Sequence, residues 1–338
     1  MKERNASIDI FRIIGALVVI SAHTSPLSEL GHNWWYFSVQ ILPRIGVPFF
    51  FCILGYYYIG SLLNEEAKFW KTMKRLLCTY GIWSVIYYMP DVKQVLNDRG
   101  AWGGFLINCI RHFLIYGSRE HFWFFPAVFF SIIMATLFAK VGKLFWLANL
   151  SLVAYILGLM GCSYYGIGER IPIIAALINF SQYDLIRRIV LMGMPFFMMG
   201  YFLQRVDLYK IKIKTCVILE GIFLIGFLAE ILFVNQMQIQ KNVYITVFLY
   251  VLLFNTVLFL LKNPCGQCGK IASIIRDLSN FMYYSHPLFM IWINRIMNYC
   301  IGRNATGTEL FLLTVISTGS VGYLLHRMDN KYLNVLYK

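Results

Sequence analysis

The chain has 338 residues, of which 59% are hydrophobic, 17% are aromatic and only 14% are charged. An average soluble domain carries about 25% charged residues, so this composition argues against a soluble globular protein, and its many aromatic residues argue against a disordered one. The formal net charge is +14, from 30 Lys and Arg against 16 Asp and Glu. Apolar runs fill nearly the whole sequence, which predicts one polytopic membrane domain over residues 1–338.

Apolar runs long enough to cross a bilayer recur along the chain. A helix needs about 17–25 residues to span hydrocarbon roughly 30 Å thick. Ten such runs predict an all-α fold with about ten transmembrane helices, at 8–26, 38–63, 74–92, 122–141, 144–161, 187–204, 213–234, 243–261, 279–300 and 309–327. The segment 101–118 is shorter and carries Arg111 and His112, so we expect it to be interfacial or re-entrant.

The distribution of basic residues predicts that both termini are cytoplasmic. With ten spans and the N-terminus inside, the inner segments hold 18 of the 30 Lys and Arg and the outer segments hold 9. Because Lys and Arg collect in cytoplasmic loops, this bias supports the orientation. It also explains the positive charge without a nucleic-acid partner.

The first apolar run contains three ionisable residues, Asp9, Arg12 and His23. In a helix, the eleven residues from Arg12 to His23 turn through about three full turns and rise about 16 Å, so both side chains share one face. Asp9 lies within ion-pairing reach of Arg12. Ionisable groups inside spans are costly, so they are functional candidates by default. Snorkelling of side chains from the helix ends is the alternative, and it suits Asp9 best.

The second run begins with Arg44 in the string Pro-Arg-Ile-Gly-Val-Pro-Phe-Phe-Phe. Arg44 is either a functional cation or an interfacial anchor at the outer end of the helix. His121 precedes the fourth run, where Trp123 is favoured as an interface anchor, and His121 is a plausible proton carrier near neutral pH.

The ninth run contains Tyr283, Tyr284, Ser285 and His286, followed by Pro287. These polar side chains could orient one another or a substrate, and a proline inside a helix often borders a cavity. In the seventh run, Glu220 and Glu230 are either functional or members of structural ion pairs. Cys265 and Cys268 form a single CxxC pair, which is half of a zinc site at best, so we expect no metal.

A basic rim is predicted on the cytoplasmic side. Arg and Lys bind phosphates through charge-assisted hydrogen bonds, so this rim predicts a site for a polyanionic cytosolic cofactor, with membrane topology and lipid phosphates as the alternative explanation. Its members are Lys71, Lys74, Arg75, Lys210, Lys212, Lys214, Lys270 and Arg276.

Together these residues resemble membrane acyltransferase family 3, whose members O-acylate cell-surface polysaccharides, peptidoglycan and related acceptors. The most specific match is the spacing of a basic residue, ten residues and a histidine, from Arg12 to His23. Weaker blocks that match are Arg44 to Tyr56, Lys74-Arg75, His121 to Phe124 and Tyr283 to His286.

A closer resemblance is to the N-terminal membrane half of the membrane-bound serine racemases of vancomycin resistance. The strings that are similar run from His23 to Leu27, from Val47 to Phe51 and from His121 to Ala127. In those proteins a cytoplasmic racemase domain that uses pyridoxal phosphate follows the membrane half. The present sequence is therefore expected to be either a piece of such a protein or a stand-alone relative.

The resemblance to family 3 implies an enzyme of the bacterial cytoplasmic membrane that uses acetyl-CoA as its acyl donor and a hydroxyl group of the cell envelope as acceptor. It implies that the donor enters from the cytoplasm and that His23 acts as a general base or accepts the acyl group covalently. The candidate catalytic residues are His23, Arg12, Arg44, His121 and His286. The candidate donor-binding residues are Arg12, Lys74, Arg75 and Tyr284.

Two other functions remain open at this point. The resemblance to the racemases implies transport of L-serine to a racemase domain, and the same polar residues would serve that path. A simple membrane anchor is the third interpretation, and it predicts that Arg12 and His23 can be replaced without effect. The sequence leaves the acceptor, the acyl chain and the oligomeric state undetermined.

Overall fold

A computed structural model describes residues 5–97, 102–263, 269–330 and 332–337. All regular secondary structure in these ranges is helical. Eleven helices of ten or more residues lie there: α1 Ala6–Thr24, α2 Gly46–Leu63, α3 Phe69–Asn97, α4 Trp102–Arg111, α5 Phe124–Lys140, α6 Leu144–Met160, α7 Met194–Gln204, α8 Ile213–Gln236, α9 Val247–Lys262, α10 Gly269–Ile301 and α11 Gly307–Met328. Cys265 and Cys268 fall outside the described residues.

Each of the ten apolar runs overlaps one of these helices, and the all-α prediction is confirmed, while ten membrane spans stay a prediction. Among the residues that the structure describes, six helical stretches are long and apolar enough to cross a membrane, and they include α1, α2, α5, α7, α8 and α11 with the turns that extend them. Helices α6 and α9 are apolar but have only 17 and 16 residues. The segment expected to be interfacial forms α4, whose ten residues are too short to span the hydrocarbon.

The chain divides into two compact units. The first unit comprises Met1–Phe50, Asp207–Phe233 and Thr246–Lys338, so it contains α1, most of α8, and α9 to α11. The second unit comprises Phe51–Val206 and Val234–Ile245, so it contains most of α2 and all of α3 to α7.

In the first unit, α1, α10 and α11 pack against one another. Ala16 and Ile20 of α1 form a buried cluster with Met282 of α10. Helix α11 turns small residues toward α10, and the ring of Phe281 occupies the space beside Gly322. This packing brings α1 and α10 into contact, and His23 of α1 lies beside His286 of α10.

Two loops of the first unit contact each other beyond the end of α1, and we call the hydrogen bonds of Leu27 and Glu29 with Thr308 the clamp. Helix α1 ends at Ser25, whose backbone is left-handed, and the main-chain N–H of Leu27 donates to the hydroxyl of Thr308 over 2.9 Å. Glu29 accepts hydrogen bonds from the backbone N–H and the hydroxyl of Thr308, at 2.9 and 2.8 Å. A side chain at Gly307 would overlap with the carbonyl oxygen of Ser25, so the two loops are in direct contact.

In the second unit, α2 and α7 cross at two glycines. A Cβ atom at Gly55 would overlap with the carbonyl group of Phe197, and one at Gly200 would overlap with the backbone of Tyr56. Only glycine permits such close contact between helix backbones. The side-chain amide of Gln204 also donates to the carbonyl of Tyr56 over 2.9 Å.

The half-buried Glu220 and the buried Glu230 of α8 accept hydrogen bonds from main-chain and side-chain groups of α9. Glu230 accepts the N–H groups of Val247 and Phe248 over 2.8 Å each, at the start of α9. Glu220 accepts from the side chains of Asn255 and Thr256. These contacts give both carboxylates a structural role, since they supply acceptors for groups that would otherwise be buried without one.

Candidate active site

Helix α1 carries the first half of the site. It begins at the N-cap Asn5, whose side chain accepts the N–H of Ile8, and it continues without interruption to Thr24. The guanidinium of Arg12 lies 3.7 Å from the carboxylate of Asp9, which is 5% exposed. His23 lies in the last turn and is exposed. The unbroken helix places Arg12 and His23 on one face about 16 Å apart along the axis, as the spacing predicts.

The second half of the site comes from α10. The ring of His286 lies beside that of His23, with 5.2 Å between the ring centroids. His286 is completely buried, whereas His23 is exposed. The structure therefore brings together two candidates that are 263 positions apart in the sequence, one of which reaches the surface and one of which lies behind it.

Pro287 fixes the orientation of the His286 ring. Proline has no N–H to donate to the carbonyl four residues earlier, which here is the carbonyl of Tyr283. Nδ1 of His286 lies 2.9 Å from that carbonyl oxygen and 3.2 Å from that of Met282. Because a carbonyl oxygen only accepts, Nδ1 carries the proton, and in the neutral ring Nε2 carries the lone pair.

Aromatic side chains separate the level of Arg12 from that of His23. Phe50, from the start of α2, lies against Gly15 of α1, where an added Cβ atom would be 3.2 Å from its ring. The ring of Phe50 is also 5.6 Å from that of Tyr283. Any molecule that passes along α1 from Arg12 toward His23 would therefore run beside an apolar, aromatic wall.

Arg44 lies in the first unit, in the tight helical turn that leads into α2. Its Nε donates to the main-chain carbonyl of Gln40 over 2.7 Å, and its terminal nitrogen donates to the side chain of the same residue. Ser38, in the same segment, donates to the carbonyl of Pro26, and its own carbonyl accepts from Ser21 of α1. These bonds hold the Arg44 segment against the C-terminal part of α1 and the residues that follow it.

His121 belongs to the second unit. It lies in a single helical turn directly before α5 and is 5% exposed, with its ring 5.3 Å from that of Tyr87. Arg119 forms an ion pair over 2.6 Å with Asp91, which lies on α3, the helix that also carries Tyr87. The ring of Trp123 lies 5.7 Å from that of Phe51 within the unit.

The candidate donor-binding residues fall in both units. Lys74 and Arg75 are exposed on α3 of the second unit, whereas Arg12 and the half-buried Tyr284 belong to the first.

Sequence reasoning missed a second polar cluster in the first unit. Asp277 of α10 is 1% exposed and lies between Arg276, whose Nε donates over 2.7 Å, and His326 of α11, whose Nδ1 is 3.1 Å away. The only signal in the sequence is a carboxylate that directly precedes an apolar run. Within the described ranges, no three His, Cys, Asp or Glu side chains come together as a metal site.

Comparison with known proteins places this site in a family. The family model described as "Acyltransferase domain", of acyltransferase family 3, matches residues 5–326. An "Amino-acid racemase" of Enterococcus faecalis is 28% identical over 98% of this chain and 47% of its own length. A "Serine/alanine racemase" of Enterococcus gallinarum is 27% identical over 84% of this chain and 40% of its own length.

The chain thus spans less than half the length of these curated relatives. No solved structure matches it. The family match covers nearly the whole chain, including both histidines of the candidate site, Arg12 and the segment that holds Arg44. The protein therefore belongs to the membrane acyltransferases of family 3.

Proposed function

We propose that this protein is an integral membrane acyltransferase of the bacterial cytoplasmic membrane. It transfers an acyl group, most simply acetyl, from cytosolic acyl-CoA to a hydroxyl group at the outer side of the membrane. The observation that carries this proposal is the contact between exposed His23 and buried His286 at one end of α1. About ten transmembrane helices with cytoplasmic termini belong to the same proposal.

The acyl donor is proposed to reach the histidines along α1. Arg12, held by Asp9, would bind the polar amide groups of the pantetheine arm, and the aromatic wall at Phe50 would exclude water from the thioester. Lys74 and Arg75 are assigned to the phosphates of the donor by their charge and exposure. Tyr284 is assigned to the donor as a hydrogen-bonding group of α10.

The proposed reaction is a proton-coupled acyl transfer. His23 takes the proton of the acceptor hydroxyl while the hydroxyl oxygen attacks the thioester carbonyl carbon. The C–S bond then breaks, and the thiolate takes the proton from the His23 imidazolium, which leaves an ester and free CoA. The lone pair on Nε2 of His286 is proposed to orient the neighbouring His23 ring. Arg44 is proposed to stabilise the oxyanion of the tetrahedral intermediate.

The test uses purified protein and membranes that contain it. Acetyl-CoA binding is measured by calorimetry, and transfer of radioactive acetyl from acetyl-CoA to cell-envelope material is measured in membranes. His23→Ala is expected to abolish transfer while donor binding stays within about twofold, and Arg12→Ala is expected to weaken donor binding at least tenfold. His32→Ala changes an exposed histidine outside the pair and serves as the matched control. Retained transfer in folded His23→Ala protein would remove His23 from the reaction.

Transport of L-serine is the second candidate function. The observation that favours it is the similarity to proteins named as serine/alanine and amino-acid racemases. Uptake of labelled L-serine into liposomes that contain the protein tests it directly. Uptake that is lost in Arg12→Ala, together with no binding of acetyl-CoA to folded protein, would replace the acyltransferase proposal by this one.

A further inference from the structure

A groove of about 460 Å³ opens between the start of α3 and the end of α5, within the second unit. Its apolar lining consists of Ala67, which precedes α3, of Phe69 and Trp70 from α3, and of Ile133 and Leu137 from α5. The exposed fractions are 78% for Trp70, 52% for Leu137 and 41% for Ile133. In a helix bundle that spans a membrane, such exposed apolar side chains face lipid chains.

Three lysines line the same groove. Lys68 directly precedes α3, Lys71 lies in its first turn, and Lys140 is the last residue of α5. Among the residues that the structure describes, no carboxylate lies within 4 Å of any of the three ammonium groups. Three positive charges without an acidic partner therefore surround one end of an apolar groove.

The remaining polar group in the lining is already engaged. The hydroxyl of Thr136 donates to the carbonyl of Ile132 and contacts the hydroxyl of Tyr58, each over 2.7 Å. Recognition of a ligand's polar part therefore depends on the lysines. Ammonium groups select for negative charge, and Lys binds phosphate as a point charge.

We propose that this groove binds an anionic glycerophospholipid. Its phosphate headgroup lies among Lys68, Lys71 and Lys140, and one acyl chain lies along Trp70 and Leu137. The positive charge of the three lysines complements the negative headgroup. The apolar residues of the groove fit an acyl chain, which a lipid has and a free phosphate ion lacks. The bias of basic residues predicts that this end of the helices is cytoplasmic, where anionic lipids attract basic segments.

Of the groove lysines only Lys71 belongs to the basic rim predicted from the sequence, and none of the three is assigned to the acyl donor. Lys74 and Arg75 lie further along α3 and do not line the groove. The proposal therefore holds or fails independently of the acyltransferase function, and it concerns how the membrane itself is recognised.

Quenching of Trp70 fluorescence by brominated lipid chains tests the proposal. Wild-type protein and Trp70→Phe are titrated, in detergent micelles, with phosphatidylglycerol or phosphatidylcholine that carries brominated acyl chains. The difference between the two proteins isolates the signal of Trp70. Half-maximal quenching is expected at a mole fraction of phosphatidylglycerol at least threefold lower than that of phosphatidylcholine.

Two triple variants that lose the same charge show whether the groove lysines cause the preference for phosphatidylglycerol. Substituting all three groove lysines by Gln is expected to remove the difference between the two lipids. Substituting Lys143, Lys212 and Lys214 by Gln removes the same charge from exposed positions outside the groove and is expected to keep the difference. Equal quenching by both lipids in wild-type protein would overturn the proposal, because it would show an unselective lipid shell.

Competition with two soluble phosphate compounds distinguishes a lipid in the groove from a soluble phosphate ligand. If inorganic phosphate or acetyl-CoA at millimolar concentration reverses the quenching by phosphatidylglycerol, a water-soluble phosphate compound is the occupant and the lipid proposal is wrong. Persistence of the quenching supports it. Should the triple groove variant fail to fold, the comparison of the two lipids on wild-type protein still decides the outcome.

Discussion

The ring of His286 is set by its own helix rather than by a distant partner. Pro287 leaves the carbonyl of Tyr283 without a helical donor, and Nδ1 of His286 supplies one at 2.9 Å. A proline that would weaken a helix is thereby compensated, and the compensation decides which ring nitrogen carries the proton. This makes Pro287 a positioning residue for the histidine pair.

Pro287→Ala tests this role. Alanine restores an N–H that competes with Nδ1 for the carbonyl of Tyr283, so we expect a mixture of the two neutral ring forms and acyl transfer reduced several-fold with unchanged donor binding. Nitrogen-15 NMR of the histidine rings reports the ring form directly. Leu288→Ala, which adds no backbone donor, is the control, and the same single ring form in both variants would contradict the argument.

The candidate site is predictable from the sequence only where it is local. Arg12 and His23 share an uninterrupted helix, so their spacing alone fixes their relative position. The contact of His23 with His286 depends on how α1 packs against α10, and the pairing of Asp277 with His326 depends on α10 against α11. Neither packing leaves a periodic pattern in one segment of sequence.

At the level of helices, the apolar runs predict positions well because a span needs about 20 apolar residues whatever its neighbours are. Local departures from the α-helix were not predictable. Segment Arg187–Gly193 forms a wider π-helical turn directly before α7. Segment Tyr36–Ile41 forms another, which the tight turn Leu42–Ile45 separates from α2. Such turns arise from tertiary contacts rather than from residue preference, so composition does not reveal them.

The crossing of α2 and α7 predicts a strong difference between two glycines. In Gly55→Ala the new methyl group would overlap with the carbonyl of Phe197, so we expect the second unit to be destabilised by about 2–3 kcal/mol. Gly81, on α3, has no atom within 4 Å of the added group. Gly81→Ala is therefore expected to stabilise by up to about 1 kcal/mol.

Thermal unfolding of both variants in one detergent measures this difference. The pair is matched, because each change adds one methyl group to a helix. A midpoint for Gly55→Ala equal to that of Gly81→Ala would show that the two helix backbones are further apart than described.

On the scale of the whole molecule, orientation in the membrane is the property to measure. The inside–outside assignment predicts that Cys300, exposed at the end of α10, faces the outer side. It predicts that Tyr209, 96% exposed between α7 and α8, faces the cytoplasm. In protein without other cysteines, a maleimide that does not cross membranes should label Cys300 in intact cells.

The matched variant carries Tyr209→Cys and Cys300→Ser, so its single cysteine lies at the position predicted to be cytoplasmic. It should be labelled only after the cells are opened, because the reagent then reaches the cytoplasmic face. The reverse pattern would invert the orientation, and with it the direction from which the acyl donor is proposed to enter.

The clamp between Glu29 and Thr308 has a consequence for acid tolerance. Hydrogen bonds from the backbone N–H and hydroxyl of Thr308 lower the pKa of Glu29 from its ordinary value of 4.5 to about 2. A carboxylate whose pKa is lowered on folding stabilises the folded protein. This contribution is complete at pH values above the ordinary pKa and is lost as the pH falls through the lowered pKa. The contribution of this joint between the end of α1 and the start of α11 is therefore complete above about pH 4.5, declines as the pH falls further, and is lost near pH 2, where Glu29 itself becomes protonated.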